Sequence, residues 1–223
     1  MTTQDIPSPA RGTTTGPSEQ SILFGGLSID FDDRVLRPRD WTLAQSTWAE
    51  ALLDELPAGP VLELCSGAGH IGLRAIAARR RHLVAVDLDP VACDYIRRNA
   101  AAAGLADLVD VRQGAMVSVL ETAETFPLII ADPPWVPRAD LTRFPEDPEL
   151  AIDGGDDGMH VARMCLALID RHLAPGGSAL LQLGTVEQAC EVGELLDSDA
   201  FGSTRMNELR TYERGVVVRL DHA

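Results

Sequence analysis

Val61-Leu62-Glu63-Leu64-Cys65-Ser66-Gly67-Ala68-Gly69-His70-Ile71-Gly72 decides the fold. Val61 to Leu64 is a short, almost wholly apolar run of the kind that forms a buried strand. Gly67 to Gly72 then fits the pattern GxGxxG and leads into a helix from about Gly69 to Arg80. His82 to Val86 reads as the next strand, and Asp87 closes it, 20 positions after Gly67. Glycines at such a turn let a ligand approach the backbone, and the helix N-terminus offers unpaired N–H groups. A carboxylate at the end of the following strand can accept hydrogen bonds from both hydroxyls of a ribose. The stretch therefore predicts a nucleoside-bearing cofactor.

Working outward, the alternation continues. Pro90 stands where the first turn of a helix tolerates proline, and that helix runs to Ala103 before Gly104. Leu108 to Val111 is a third strand and Leu128 to Ala131 a fourth, followed by a long loop over residues 132–156. A helix is expected from Met159 to Leu173, a strand from Ala179 to Leu183 after Pro175-Gly176-Gly177, and a helix from Val186 to Leu196. Glu208 to Tyr212 and Gly215 to Leu220 close the chain as a strand pair. The reading is an α/β, doubly wound, mainly parallel sheet with helices on both faces. Upstream, Ile22 to Val35 suggests a hairpin around Gly25-Gly26, and Thr42 to Leu56 a helix. Three parts follow: a disordered tail over residues 1–20, an extension over 21–58 and a catalytic domain over 59–223.

GxGxxG alone does not separate a nicotinamide dinucleotide from S-adenosylmethionine. Glu63 favours the second, because a carboxylate beside the turn suits a cationic methionine end and repels a pyrophosphate. The loop after the fourth strand favours it too. Asp132-Pro133-Pro134-Trp135 follows that strand directly, where ligands of open parallel sheets bind. The prolines stiffen the loop and leave carbonyls free to accept. Asp132 and the carbonyl of Pro133 can receive the N–H bonds of a planar amine or amide and turn its lone pair toward a methyl donor. Pro134 and Trp135 offer a flat wall for the acceptor.

The 223 residues suit one α/β domain, and no apolar run reaches membrane-spanning length. A cytoplasmic location is the default expectation. The formal charge of −15 repels nucleic acid and mildly attracts a sulfonium. Cys65, Cys93, Cys165 and Cys190 form no CxxC pair, and the histidines no HExxH spacing, so no metal is expected. His70, His82, His160 and His172 read as surface or packing residues.

The motif around Gly67 resembles that of the class I methyltransferases. Three further stretches are similar to the HemK/PrmC-like glutamine N-methyltransferases: Val35-Leu36-Arg37-Pro38-Arg39-Asp40-Trp41-Thr42, Asp132-Pro133-Pro134-Trp135-Val136, and the run from Asp147-Pro148 to Met159 through Gly154-Gly155-Asp156-Asp157-Gly158. The resemblance implies a seven-stranded sheet and S-adenosyl-L-methionine held by Cys65, Ser66, Gly67, Ala68, Gly69, Asp87 and Leu88. It also implies an adenine end near Ala115 and Met116, and a substrate nitrogen held at Asp132. Three departures stand out. The family's asparagine is Asp132, its tyrosine is Trp135, and the acidic residue on its adenine side falls at Ala115.

The expected function is N-methylation of a protein glutamine or of a small amine- or amide-bearing metabolite. The departures lean toward an unusual acceptor, and the shared segments toward a protein glutamine, with room for a partner subunit that supplies docking. The alternative is methylation of exocyclic amines in nucleic acid, which the acidic charge opposes. A non-catalytic scaffold and a nicotinamide oxidoreductase are the remaining readings.

Overall fold

The computed structural model describes residues 18–198 and 201–223. The expected tail lies almost entirely outside these residues, but Gln20 already belongs to a strand. Strands β1 (Gln20–Phe24) and β2 (Leu27–Phe31) form an antiparallel hairpin. Its turn, Gly25-Gly26, has both residues at positive φ (54° and 93°), a region glycine enters without steric cost.

After α1 (Leu43–Leu52) the alternating units follow: β3 (Val61–Leu64), α2 (His70–Ile76), β4 (Leu83–Asp87), α3 (Pro90–Ala102), β5 (Val109–Gln113), the short α4 (Met116–Val119) and β6 (Phe126–Ala131). Helix α3 starts as its sequence suggests: Pro90 occupies the first turn and the Asp89 carboxylate caps it, accepting from the Val91 N–H at 2.8 Å. The chain ends with α5 (Glu149–Ile152), α6 (His160–His172), β7 (Leu173–Leu183), α7 (Val186–Leu196), β8 (Thr204–Thr211) and β9 (Val216–His222).

Seven strands form one sheet in the order β5-β4-β3-β6-β7-β9-β8. All neighbours from β5 to β7 are parallel, and β9 runs antiparallel to both β7 and β8. The doubly wound expectation is met. The strand order reverses between β3 and β6, which opens a crevice beyond their carboxyl ends.

Several expectations about element ends differ: α1 stops at Leu52 instead of Leu56, and β8 begins at Thr204 instead of Glu208. Helix α2 stops at Ile76 instead of Arg80, because the backbone turns and Arg80 takes φ 48°. Strand β7 begins at Leu173, before the Pro175-Gly176-Gly177 turn. Its pairing with β6 jumps from Phe126–Leu173 to Leu128–Ser178, so the turn is absorbed as a bulge.

Side-chain alternation sorts the core. Leu62, Leu64, Val84, Val86, Ile129 and Ala131 pack against α6 and α7, whereas Val61, Leu83, Ala85, Leu128 and Ile130 pack with buried residues of α1, α2 and α3. Helix α1 thus belongs to the main core: Trp48, Ala49 and Leu52 are buried there. The hairpin's Phe24, Ile29 and Phe31 form a third cluster with Val35, Ala68 and Tyr95, each large side chain worth roughly 1.5–3 kcal/mol on burial. Fully buried Asn99 locks this cluster down. Its Oδ1 accepts from the Asp30 N–H at 2.8 Å, and its Nδ2 donates to the carbonyls of Asp30 and Ala68 at 3.0 and 2.9 Å. One amide therefore ties the hairpin to the glycine turn. No helix among the described residues is long and apolar enough to cross a membrane.

Candidate active site

Strand register places three of the candidate residues on one level. Leu64 pairs with Val86 on one side and with Ala131 on the other, so Cys65, Asp87 and Asp132 emerge side by side from β3, β4 and β6. They line one cavity of about 550 Å³.

The turn above β3 is held open by the carboxylate opposite it. Asp87 Oδ2 accepts from the Gly67 N–H at 2.7 Å and Oδ1 from the Asp89 N–H at 2.9 Å. Each oxygen keeps a lone pair for a ligand hydroxyl. Cys65, Gly67 and Gly69 have φ of 58°, 54° and 79°, left-handed conformations that curl the turn so tightly that the Gly69 N–H donates to Ser66 O at 2.8 Å. The Cys165 thiol and burial hold the Cys65 pKa above its usual value, so Cys65 stays a thiol.

Asp132 sits half-buried at the head of the loop. Burial pushes its carboxyl up to about 7. Burial also pushes Glu63 up to about 8, with Asp132 and Asp87 adding to the rise, and raises Asp87. Asp87 and Asp132 both line the crevice with raised carboxyls and have no ion-pair partner among the described residues, so a cationic ligand would be favoured there.

The loop itself is stitched shut by backbone. The Val136 N–H donates to Ile152 O at 3.0 Å, the Gly154 N–H to Val136 O at 2.9 Å and the Arg138 N–H to Gly155 O at 2.8 Å. Gly158, at φ 76°, lies so close under the loop that a Cβ there would come within 2.4 Å of the Trp135 carbonyl oxygen. The Gly154–Gly158 run is thus the footing of Asp132-Pro133-Pro134-Trp135.

Of the residues singled out in the sequence, Cys65, Ser66, Gly67, Asp87 and Leu88 line the cavity. So do Ala115, Met116, Asp132 and Pro134. Five do not. Glu63 faces away: alternation along β3 turns it toward α2, where Oε1 accepts from the Gly72 N–H at 2.7 Å and Oε2 is buried without a partner. Ala68 and Gly69 are buried behind the turn, Ala68 against the hairpin and Gly69 with the nearest atoms to its missing Cβ on Ile96. Pro133 is buried inside the loop. Trp135 is turned to the far side. Its indole lies on Gly184, where a Cβ would come within 2.2 Å of the ring, and it lines a second cavity of about 470 Å³.

Several wall residues carried no local signal. Arg34 closes one side beside Val35 and Leu36, which begin the Val35–Thr42 stretch singled out in the sequence; Arg34 is fixed by Asp32 at 2.5 Å, and that ion pair holds the Asp32 carboxyl at about 2. His70 is buried in the wall, not on the surface. Its Nε2 lies 3.1 Å from Thr42 Oγ1 and its ring stands edge-on to Phe24, and burial lowers its pKa to about 3, so it is neutral. Exposed Leu88 and Leu150, 55% and 58% accessible, form an apolar rim on the same cavity.

Known proteins resemble this chain in sequence and in fold. The family model described as "Conserved hypothetical protein 95" matches residues 30–144. The release factor glutamine methyltransferase of Deinococcus radiodurans is 36% identical over 169 residues, 73% of this chain and 59% of that protein. The ribosomal protein uL3 glutamine methyltransferase of Bordetella pertussis is 32% identical over 166 residues, 71% of this chain and 55% of that protein. The chain thus spans between 55% and 59% of the length of these two curated relatives. Among solved structures, the hMettl16 catalytic domain in complex with the MAT2A 3'UTR hairpin 1 superposes with TM-score 0.70 at 15% identity, covering 88% of this chain and 75% of that one. A methyltransferase from Pyrococcus furiosus superposes with TM-score 0.57 at 20% identity, covering 88% and 89%. At such identities the likeness speaks to the fold, which is that of the class I methyltransferases.

Proposed function

The chain belongs to the family described as Conserved hypothetical protein 95 and is related to the HemK/PrmC-like glutamine methyltransferases, and we propose that it methylates the side-chain amide nitrogen of a protein glutamine, with S-adenosylmethionine as donor. One observation carries the reading: Cys65, Asp87 and Asp132 stand on adjacent strands at one level and share one cavity.

The residues present fit the donor. Asp87 retains acceptor capacity for ribose hydroxyls after binding the Gly67 and Asp89 N–H groups. Leu88 and Met116 offer apolar faces to an adenine, with Ala115 leaving room where a side chain would crowd it. The two raised carboxyls that line the cavity, Asp87 and Asp132, suit a cation. Glu63 acts from beneath the turn, through its grip on the Gly72 N–H, not by lining the cavity. When bound, S-adenosylmethionine supplies a methyl group already activated by a sulfonium.

The chain's own residues then do three things. Asp132, once ionised, accepts one N–H of the amide, and a proline carbonyl of the loop accepts the other. These bonds pull the nitrogen out of conjugation and aim its lone pair into the cavity. Asp132 next takes the proton that the methylated nitrogen must lose, a role suited to a carboxyl poised near 7. Burial of the loop keeps water away from both partners.

The deciding experiment incubates the chain with S-adenosylmethionine carrying a labelled methyl group and a lysate split into protein, RNA and small-molecule fractions. Label in protein, released as N-methylglutamine on enzymatic digestion, is the expected result. Asp132→Ala should lower kcat at least a hundredfold with little change in donor affinity. Label confined to RNA or metabolites would reject the acceptor, and an active Asp132→Ala would reject the mechanism.

A further inference from the structure

Trp135 raises a question that the transfer chemistry leaves open, because this large aromatic of the chemistry loop does not face the reacting cavity. Its position is built, not incidental. Gly184 leaves the space in which the indole lies, and Gln188 Nε2 donates to the Trp135 carbonyl at 3.1 Å and to Gly158 O at 3.2 Å. Three residues far along the chain thus turn the ring into a separate cavity of about 470 Å³, shared with the ring of Phe144.

The charge around these two rings is one-sided. Asp140, Asp157, Glu187 and Glu191 line the cavity against one lining cation, Arg143. Among the described residues Arg143 reaches only Asp140, at 3.7 Å. Arg163 is shared between Asp157 and Glu191, so one guanidinium answers two carboxylates. Glu187 has no ion-pair partner among the described residues, and bonds from its own backbone N–H and Thr185 lower its pKa, which keeps it ionised. The cavity therefore combines aromatic faces with about two uncompensated negative charges.

We propose that the cavity beneath Trp135 is a specificity pocket for an arginine side chain of the methyl-acceptor polypeptide, within two residues of the glutamine that is modified. The assignment rests on the chain acting as a protein glutamine methyltransferase. Pro134 lines the reacting cavity and Trp135 the second one, so the loop is a ridge one residue wide between them. Successive side chains of an extended peptide point to opposite faces. A peptide lying across the ridge with its glutamine toward Asp132 directs a neighbouring side chain toward Trp135. A guanidinium stacks on an indole and bridges carboxylates with its planar fork; an ammonium does neither as well.

The test has a binding arm and a transfer arm. In the first, N-acetyl-L-arginine methylamide is titrated into the chain while the indole N–H signals of its three tryptophans are followed by NMR. The Trp135 signal, assigned by its loss in Trp135→Phe, should move; the citrulline analogue, which is neutral and of similar shape, should leave it in place. Glu187→Gln should weaken the arginine response about 1.5–5-fold, the range of an exposed cation–carboxylate contact. In the second arm, glutamine peptides carrying arginine, lysine, citrulline or glutamate beside the glutamine are compared as acceptors. Arginine should lower KM about tenfold relative to citrulline with kcat nearly unchanged, and Glu187→Gln should erase most of that difference. Equal KM for the arginine and citrulline peptides, or a lysine peptide as good as arginine, would overturn the proposal and leave the methyltransferase reading intact. A Trp135 signal that answers arginine while no peptide accepts a methyl group would remove the proposed function instead and leave the pocket standing.

Discussion

Asp132→Asn separates what this carboxyl does for the reaction from what it costs the fold. In the folded chain the group titrates near 7, against an ordinary value of 3.8, because burial disfavours its charge. Between these two pH values the folded chain holds a proton that the unfolded chain has released. Stability therefore falls as pH rises from about 4 to about 7, and the full cost is present above that. About three pH units at about 1.4 kcal/mol each gives ~4 kcal/mol, and halving this for the side that water still reaches leaves ~2 kcal/mol. Asparagine has the same shape and no charge. The variant should match the parent near pH 4 and exceed it above pH 8, with Tm higher by roughly 4–8 °C at this chain length. Differential scanning calorimetry of both proteins from pH 4 to 9 measures the difference, and subtraction removes much of the contribution of Glu63, which titrates near 8 in the parent. Turnover supplies a second readout. The parent's activity should rise with pH through about 7 as the acceptor ionises, and the variant's should lose that step. A Tm difference independent of pH, or an unchanged pH–rate profile in the variant, would refute the reasoning.

Three other outcomes follow from the packing. Asn99→Ala removes the two bonds from α3 to the hairpin and the one to the glycine turn and should cost about 2–3 kcal/mol, seen as a lower urea midpoint together with weaker S-adenosylmethionine binding by calorimetry. An unchanged donor affinity would show that the hairpin does not brace the turn. Gly184→Ala places a methyl within 2.2 Å of the Trp135 ring, so it should destabilise the chain by about 1–3 kcal/mol and shift the tryptophan emission. Asp87→Asn keeps one acceptor oxygen but loses the charge, and it should weaken donor binding about tenfold or more while leaving kcat at saturating donor nearly intact.

The sheet was legible because its strands are short apolar runs and its helices begin and end on Pro90, Gly104 and similar punctuation. The level shared by Cys65, Asp87 and Asp132 was legible too, since motif spacing and parallel register fix it together. What escaped was set by distant partners. Nothing near Trp135 announces that Gly184 and Gln188 will turn it away from the reacting cavity. His70 looks like any helix-start histidine until Thr42 and Phe24 close over it. Glu63 is the instructive case: Leu62 and Leu64 both pack toward α6 and α7, so period-2 alternation alone sends Glu63 to the opposite face, toward α2.

The backbone bonds that join Val136 to Ile152 and Gly154, and Arg138 to Gly155, close the chemistry loop at its base and leave residues 139–148 as its outlying arc. A segment fastened at both feet, and once more by the Arg39–Asp147 ion pair, is a strap with one free span: substitutions between 139 and 146 would alter what the strap meets while the aspartate at its root keeps its bracing.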